Sequence, residues 1–181
     1  HGSCGTGTPA VLERNGSGPA IPTGLGDASG DGRADFATAS PNGLGNIAVY
    51  RQTTRSSVGT VAWSLSGTSS SDMFGWTTMG PGDLDNDGLG DVVVGRPGTM
   101  HALAYQGTTG ATIWQVADSH AGFGRTMGRG GLLSGYLGVT IAACSGPVSC
   151  SGEIAAYTDN TPSLRALWSM GAGAFGAALS R

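Results

Sequence analysis

Three times along the chain an apolar segment closes on a tyrosine: Asn46-Ile47-Ala48-Val49-Tyr50, His101-Ala102-Leu103-Ala104-Tyr105 and Glu153-Ile154-Ala155-Ala156-Tyr157. A tryptophan follows each one inside a second apolar segment, at Trp63, Trp114 and Trp168. A Phe-Gly pair then ends the unit, at Phe74-Gly75, Phe123-Gly124 and Phe175-Gly176. A fixed period of this kind, about 52 residues here, is the mark of one supersecondary unit stacked on copies of itself, because a single unit cannot bury its own apolar face.

Within each unit, apolar runs of four to seven residues alternate with Gly, Ser, Thr and Asn clusters, the pattern of short antiparallel strands. Gly107-Thr108-Thr109-Gly110 reads as a hairpin loop, and Ser163 to Leu167, the one stretch with helical appeal, reads as strand because its equivalents do. The chain holds 34 Gly and 8 Pro in 181 residues, which suits a fold with many turns. The expected fold is therefore all-β, with β-propeller-type blades of short antiparallel strands: about three full repeats plus partial ends. The divisions are a partial blade at 1–20, repeats at 21–74, 75–123 and 124–175, and a partial strand at 176–181, in one continuous repeat domain.

Two units carry an acidic loop directly before an apolar strand, Asp27 to Asp35 and Asp83 to Asp91. Side-chain oxygens fall at loop positions 1, 3, 5 and 9: Asp27, Ser29, Asp31 and Asp35 in the first, Asp83, Asp85, Asp87 and Asp91 in the second. The position 7 carbonyl, of Arg33 or Leu89, adds a further oxygen, and glycine at position 6 permits the sharp turn. Hard oxygen ligands alternating in this way suit Ca²⁺, giving two expected sites. An EF-hand is excluded, because position 12 is Thr38 or Val94 rather than Glu and strand follows. In the third unit Gly131, Leu133, Gly135, Leu137 and Val139 take the places of Asp83, Asp85, Asp87, Leu89 and Asp91, so no metal is expected there.

Phe74-Gly75 followed by Gly82 to Pro97 resembles the FG-GAP repeat of integrin α-subunit β-propellers and related secreted proteins. Gly26 to Pro41 repeats the pattern without the Phe-Gly, and 123–145 repeats it without the acids, so the resemblance covers roughly residues 20 to 181. It implies four-stranded blades with a structural Ca²⁺ in the loop between the first two strands. That family closes with seven blades, whereas this chain supplies about three and a half. The two incomplete ends are expected to be finished by other copies, as a ring or a filament, or by the rest of a longer chain.

Other features bound the function. Charged residues make up 12% of the chain and the net charge is −3, which provides no electrostatic footprint for nucleic acid. No apolar stretch approaches the length of a spanning helix, so no membrane insertion is expected. Cys4, Cys144 and Cys150 allow at most one intrachain disulfide; Cys144 and Cys150, which bracket a turn-prone stretch, are the candidate pair. Asn15-Gly16-Ser17 is a candidate glycosylation sequon. No catalytic motif is present, and the carboxylates outside the loops are scattered.

The expected function is a non-enzymatic, extracellular, calcium-braced module for adhesion, recognition or structural assembly, with a protein or glycan partner. A lectin is the alternative. Trp63, Trp114 and Trp168 stand at equivalent positions and read as core, whereas Trp76 has no equivalent and is the possible ligand contact. A copper-dependent oxidative enzyme is a further alternative, using His1 with His101 or His120.

Overall fold

The computed structural model describes residues 21–54, 59–118, 121–133, 136–142, 152–158 and 163–170, with side chains for 22–54, 59–118 and 121–128. Their strands form three four-stranded antiparallel sheets, each a simple meander in chain order. The first holds β1 (Ile21–Gly26), β2 (Asp35–Ser40), β3 (Asn46–Arg51) and β4 (Thr60–Ser66). The second holds β5 (Thr78–Met79), β6 (Val92–Arg96), β7 (His101–Tyr105) and β8 (Thr112–Ala117). The third holds β9 (Thr126–Leu133), β10 (Tyr136–Ala142), β11 (Gly152–Thr158) and β12 (Ser163–Met170). The fold is thus all-β with propeller-type blades. The stretch from Ser163 is strand, and the 107–110 turn joins β7 to β8.

The blades meet face to face. Along β6, Val92 and Val94 pack toward the first blade with Ile47, Val49 and Phe74, while Val93 packs the other way with Trp114, Val116 and Phe123. All three valines are fully buried. Successive strand residues point to opposite faces, and here both faces are covered, so the run is continuously apolar rather than alternating. The first strands line up, β1 against β5 and β5 against β9, which sets the blades side by side about their inner edges.

The two described Phe-Gly pairs, Phe74-Gly75 and Phe123-Gly124, each seat on the blade before them. Phe74 and Phe123 are buried, and Gly75 and Gly124 adopt φ of 80° and 82°. A Cβ on Gly75 would lie 2.7 Å from the Asn46 carbonyl oxygen, and one on Gly124 would lie 2.3 Å from that of His101. Asn46 and His101 each open the third strand of their blade, so the two wedges are equivalent. Glycine is required twice over, for its backbone conformation and for the close approach.

The third blade differs where the acidic residues are missing. Its first two strands extend toward each other, with Leu133 paired to Tyr136, and only residues 134–135 lie between them. In the other two blades this place is taken by the loops 27–34 and 80–91.

Candidate metal centre

The two acidic loops are built by one hydrogen-bond scheme. The position 1 carboxylate bends the loop around itself: Asp27 Oδ2 accepts from Gly32 N at 2.8 Å, and Asp83 Oδ2 accepts from Gly88 N at 2.8 Å. Its other oxygen accepts from the position 5 amide, of Asp31 at 3.2 Å and of Asp87 at 3.0 Å. The position 5 carboxylate accepts in turn from the amide of Arg33 or Leu89. Asp and Asn favour such local turns because their short side chains reach amides two or more residues ahead.

Positions 4 and 6 both lie in the left-handed region, as Gly30 and Gly32 in the first loop and as Asn86 (φ 64°) and Gly88 (φ 87°) in the second. Asparagine tolerates this conformation better than most residues.

Position 9 does more than present an oxygen. Asp35 and Asp91 are buried. Asp91 Oδ2 accepts from Leu84 N at 2.7 Å and its Oδ1 from Gly107 N at 3.2 Å. Asp35 does the same with Ala28 N at 3.0 Å and Gln52 N at 2.8 Å. Gln52 and Gly107 each stand two residues after the repeated tyrosine. These backbone partners were not singled out from the sequence, although their constant offset from Tyr50 and Tyr105 was there to be read. Gln106 is a second addition: its Nε2 donates to Asp85 Oδ2 at 2.6 Å.

In the second loop, Asp83, Asp85 and Asp91 each offer a carboxylate oxygen, and these oxygens lie within 4.8 Å of one another. Two ligands on opposite sides of a Ca²⁺ ion, each at about 2.4 Å, are about 4.8 Å apart, so this set fits around one ion. Burial pushes the Asp91 carboxyl up to about 6; the Leu84 and Gly107 amides oppose the shift, and the charges of Asp85 and Asp87 add to it. A divalent cation relieves such crowding of like charges. Asp87 accepts from the Leu89 amide on the loop's exposed side and stands outside this group of three.

The first loop has a weaker donor set. Partial burial works against ionisation of Asp27, but the amides of Gly32, Gly30, Ser29 and Asp31 hold its carboxyl below the usual range. Asp31 pairs with Arg33 Nη1 at 3.4 Å on the surface. Ser29, at position 3, has a buried Oγ with no hydrogen-bond partner, the kind of orphaned oxygen a cation satisfies. The two loops are joined directly, since Gly90 N donates to the Asp27 carbonyl oxygen at 2.8 Å.

Trp76 lies at the surface, with the Arg125 guanidinium over its ring at 4.9 Å. Trp63 and Trp114 belong to the packed faces between blades. The His101 ring is tied to the Thr99 carbonyl in its own turn. His1, His120, Cys4, Cys144, Cys150, Asn15 and the expected partial blades at the two ends lie outside the described residues. No helix among the described residues is long and apolar enough to cross a membrane.

A family model described as FG-GAP-like repeat matches residues 27–94, from the first acidic loop through β6. No curated protein matches the chain.

Proposed function

We propose that this chain, in which residues 27–94 form an FG-GAP-like repeat, is a non-enzymatic recognition module, acting outside the cell, whose propeller-type blades are braced by Ca²⁺. The observation that carries the reading is the convergence of Asp83, Asp85 and Asp91 in a loop that joins two strands of one blade and bonds to the neighbouring loop. An ion held there ties the loop to β6 and, through Gly90, to the first blade. The carboxylates serve geometry: their oxygens are engaged by backbone amides, an arrangement that fixes a loop rather than one that moves protons.

Calorimetric titration with Ca²⁺ tests this. Two classes of site are expected, the tighter at 83–91, where the converging group has the Asp85 carboxylate in the place that Ser29 takes at 27–35, and the melting temperature is expected to rise with Ca²⁺ and fall in chelator. Absence of binding heat together with an unchanged melting temperature would overturn the reading. Association with further blades, in other copies or in the same polypeptide, belongs to the same proposal, because a closed propeller takes about four to eight. Sedimentation that shows only a compact 17.9 kDa monomer at high concentration counts against association between copies.

A further inference from the structure

Three aspartate or asparagine residues among the described residues are followed directly by glycine: Asp31-Gly32, Asn42-Gly43 and Asp87-Gly88. Glycine has no side chain to shield its amide nitrogen. In such pairs that nitrogen can attack the preceding side-chain carbonyl carbon and close a five-membered succinimide ring. The attack needs a mobile N–H and a side chain turned toward it.

The fold sorts the three pairs. Gly32 N donates to Asp27 Oδ2 at 2.8 Å, and Gly88 N donates to Asp83 Oδ2 at 2.8 Å. These charge-assisted bonds hold the nitrogens in place, at φ of 80° and 87°. The side chains are engaged elsewhere as well: Asp31 Oδ1 accepts from Arg33 N at 2.9 Å, and Asp87 Oδ1 accepts from Leu89 N at 2.8 Å. Gly43 lacks such a restraint. It lies with Asn42 and Leu44 in the exposed turn between β2 and β3, and its amide makes no hydrogen bond among the described residues. A Cβ built on Gly43 would meet nothing, so no neighbour crowds the reacting atoms. Asn42 Nδ2 donates to Ser40 Oγ at 3.4 Å, a long bond. A neutral amide is also a better electrophile than a carboxylate.

We propose that Asn42 is a site of spontaneous deamidation, and that the hydrogen bonds of the acidic loops keep Asp31 and Asp87 from the corresponding isomerisation. Gly43 N forms a bond to Asn42 Cγ and gives its proton to solvent. The bond from Cγ to Nδ2 breaks, and Nδ2 takes a proton from solvent and departs as ammonia. Water then opens the ring at either carbonyl, leaving aspartate or isoaspartate.

The product bears on packing because of what this turn carries. The Asn42 carbonyl accepts from Gly45 N at 3.0 Å, and the Gly45 carbonyl accepts from Gly67 N at 3.0 Å. A Cβ on Gly45 would lie 2.1 Å from the Phe74 carbonyl oxygen, so the turn forms part of the socket for that wedge. Isoaspartate routes the main chain through the side-chain carbons and lengthens it at position 42. The spacing that lets Gly45 N reach the Asn42 carbonyl is then lost.

The test follows the intact, Ca²⁺-loaded chain at physiological temperature and neutral pH over weeks, beside the same chain unfolded in urea. Tryptic digestion isolates residues 34–51, which contain Asn42 and exclude Asn15-Gly16. Electron-transfer fragmentation assigns each isoaspartate to its residue. In the folded chain Asn42 is expected to lose its amide within about fivefold of the unfolded rate, while isoaspartate at 31 and 87 forms at least about tenfold more slowly than in urea. Asn42→Ser is expected to abolish the mass gain in 34–51, and the isoaspartyl fraction is expected to show faster amide exchange at Gly45 and Gly67. A folded chain that keeps the Asn42 amide while the unfolded one loses it overturns the proposal. Isoaspartate at 31 or 87 that accumulates equally in both states overturns it too, as does amide exchange left unchanged by the modification.

Discussion

Two aspartates of the second loop have different duties. Asp85 contributes a carboxylate to the converging group; its Oδ2 accepts from Gln106 Nε2, and its Oδ1 accepts only a long, exposed bond of 3.3 Å from the Asp87 amide. Asparagine can keep the Gln106 bond while losing the charge. Asp85→Asn is therefore expected to weaken Ca²⁺ binding by at least about tenfold in calorimetry, with little change in metal-free stability. Asp91 also accepts two backbone amides in a buried position. Asp91→Ala strands both, and urea unfolding in chelator is expected to show a loss of about 2–4 kcal/mol. Asp72 supplies the pH dependence. The Thr68 hydroxyl, against an opposing effect of burial, and then Arg96 hold its carboxyl below 3.8. A folded pKa lowered in this way contributes stability above the unfolded value that is lost as pH falls through the folded one. Melting temperatures measured downward from about pH 4 are expected to drop more steeply in the wild type than in Asp72→Asn.

At the level of strands and loops, glycine separates two kinds of constraint. Gly88 has φ of 87° and open space where a Cβ would point, so Gly88→Ala is expected to cost only the conformational penalty, about 1–2 kcal/mol. Gly90 meets backbone instead: a Cβ there would sit 2.0 Å from the Leu25 carbonyl oxygen. Gly90→Ala is expected to separate the loops of the first two blades and cost at least about 1–3 kcal/mol, with faster amide exchange at Gly90 as the distinguishing sign. Much of this architecture was legible in the sequence. The tyrosine, tryptophan and Phe-Gly periods marked the strands, and the alternating acids marked both loops. Other features were not, for physical reasons. The amides of Gln52 and Gly107 reach Asp35 and Asp91 only across the sheet. Arg96, Asp72 and Thr68 come together only when blades stack, and no local pattern encodes that. The third blade shows the limit from the other side: the missing acids were plain, but the extension of β9 and β10 into the vacated place depends on strand pairing.

For the molecule as a whole, cohesion resides between blades as much as within them. Trp63 reaches from β4 into the second blade, where Nε1 donates to the Gly107 carbonyl oxygen at 2.8 Å and the indole covers Gly110. Trp63→Phe keeps most of the apolar cover and removes the bond. It is expected to lower stability by about 1–2 kcal/mol and to increase protease cutting around 60–66 before any other strand is affected. The Phe-Gly wedges extend this dependence into the order of synthesis. The residues that complete the packing of the first blade, Phe74 and Gly75, are translated after its last strand, and those that do so for the second, Phe123 and Gly124, after its last. A nascent blade thus leaves the ribosome with its four strands present and a socket still open. Each of these two blades can reach its final packing only when the start of its successor has emerged, so their maturation runs along the chain one step behind translation.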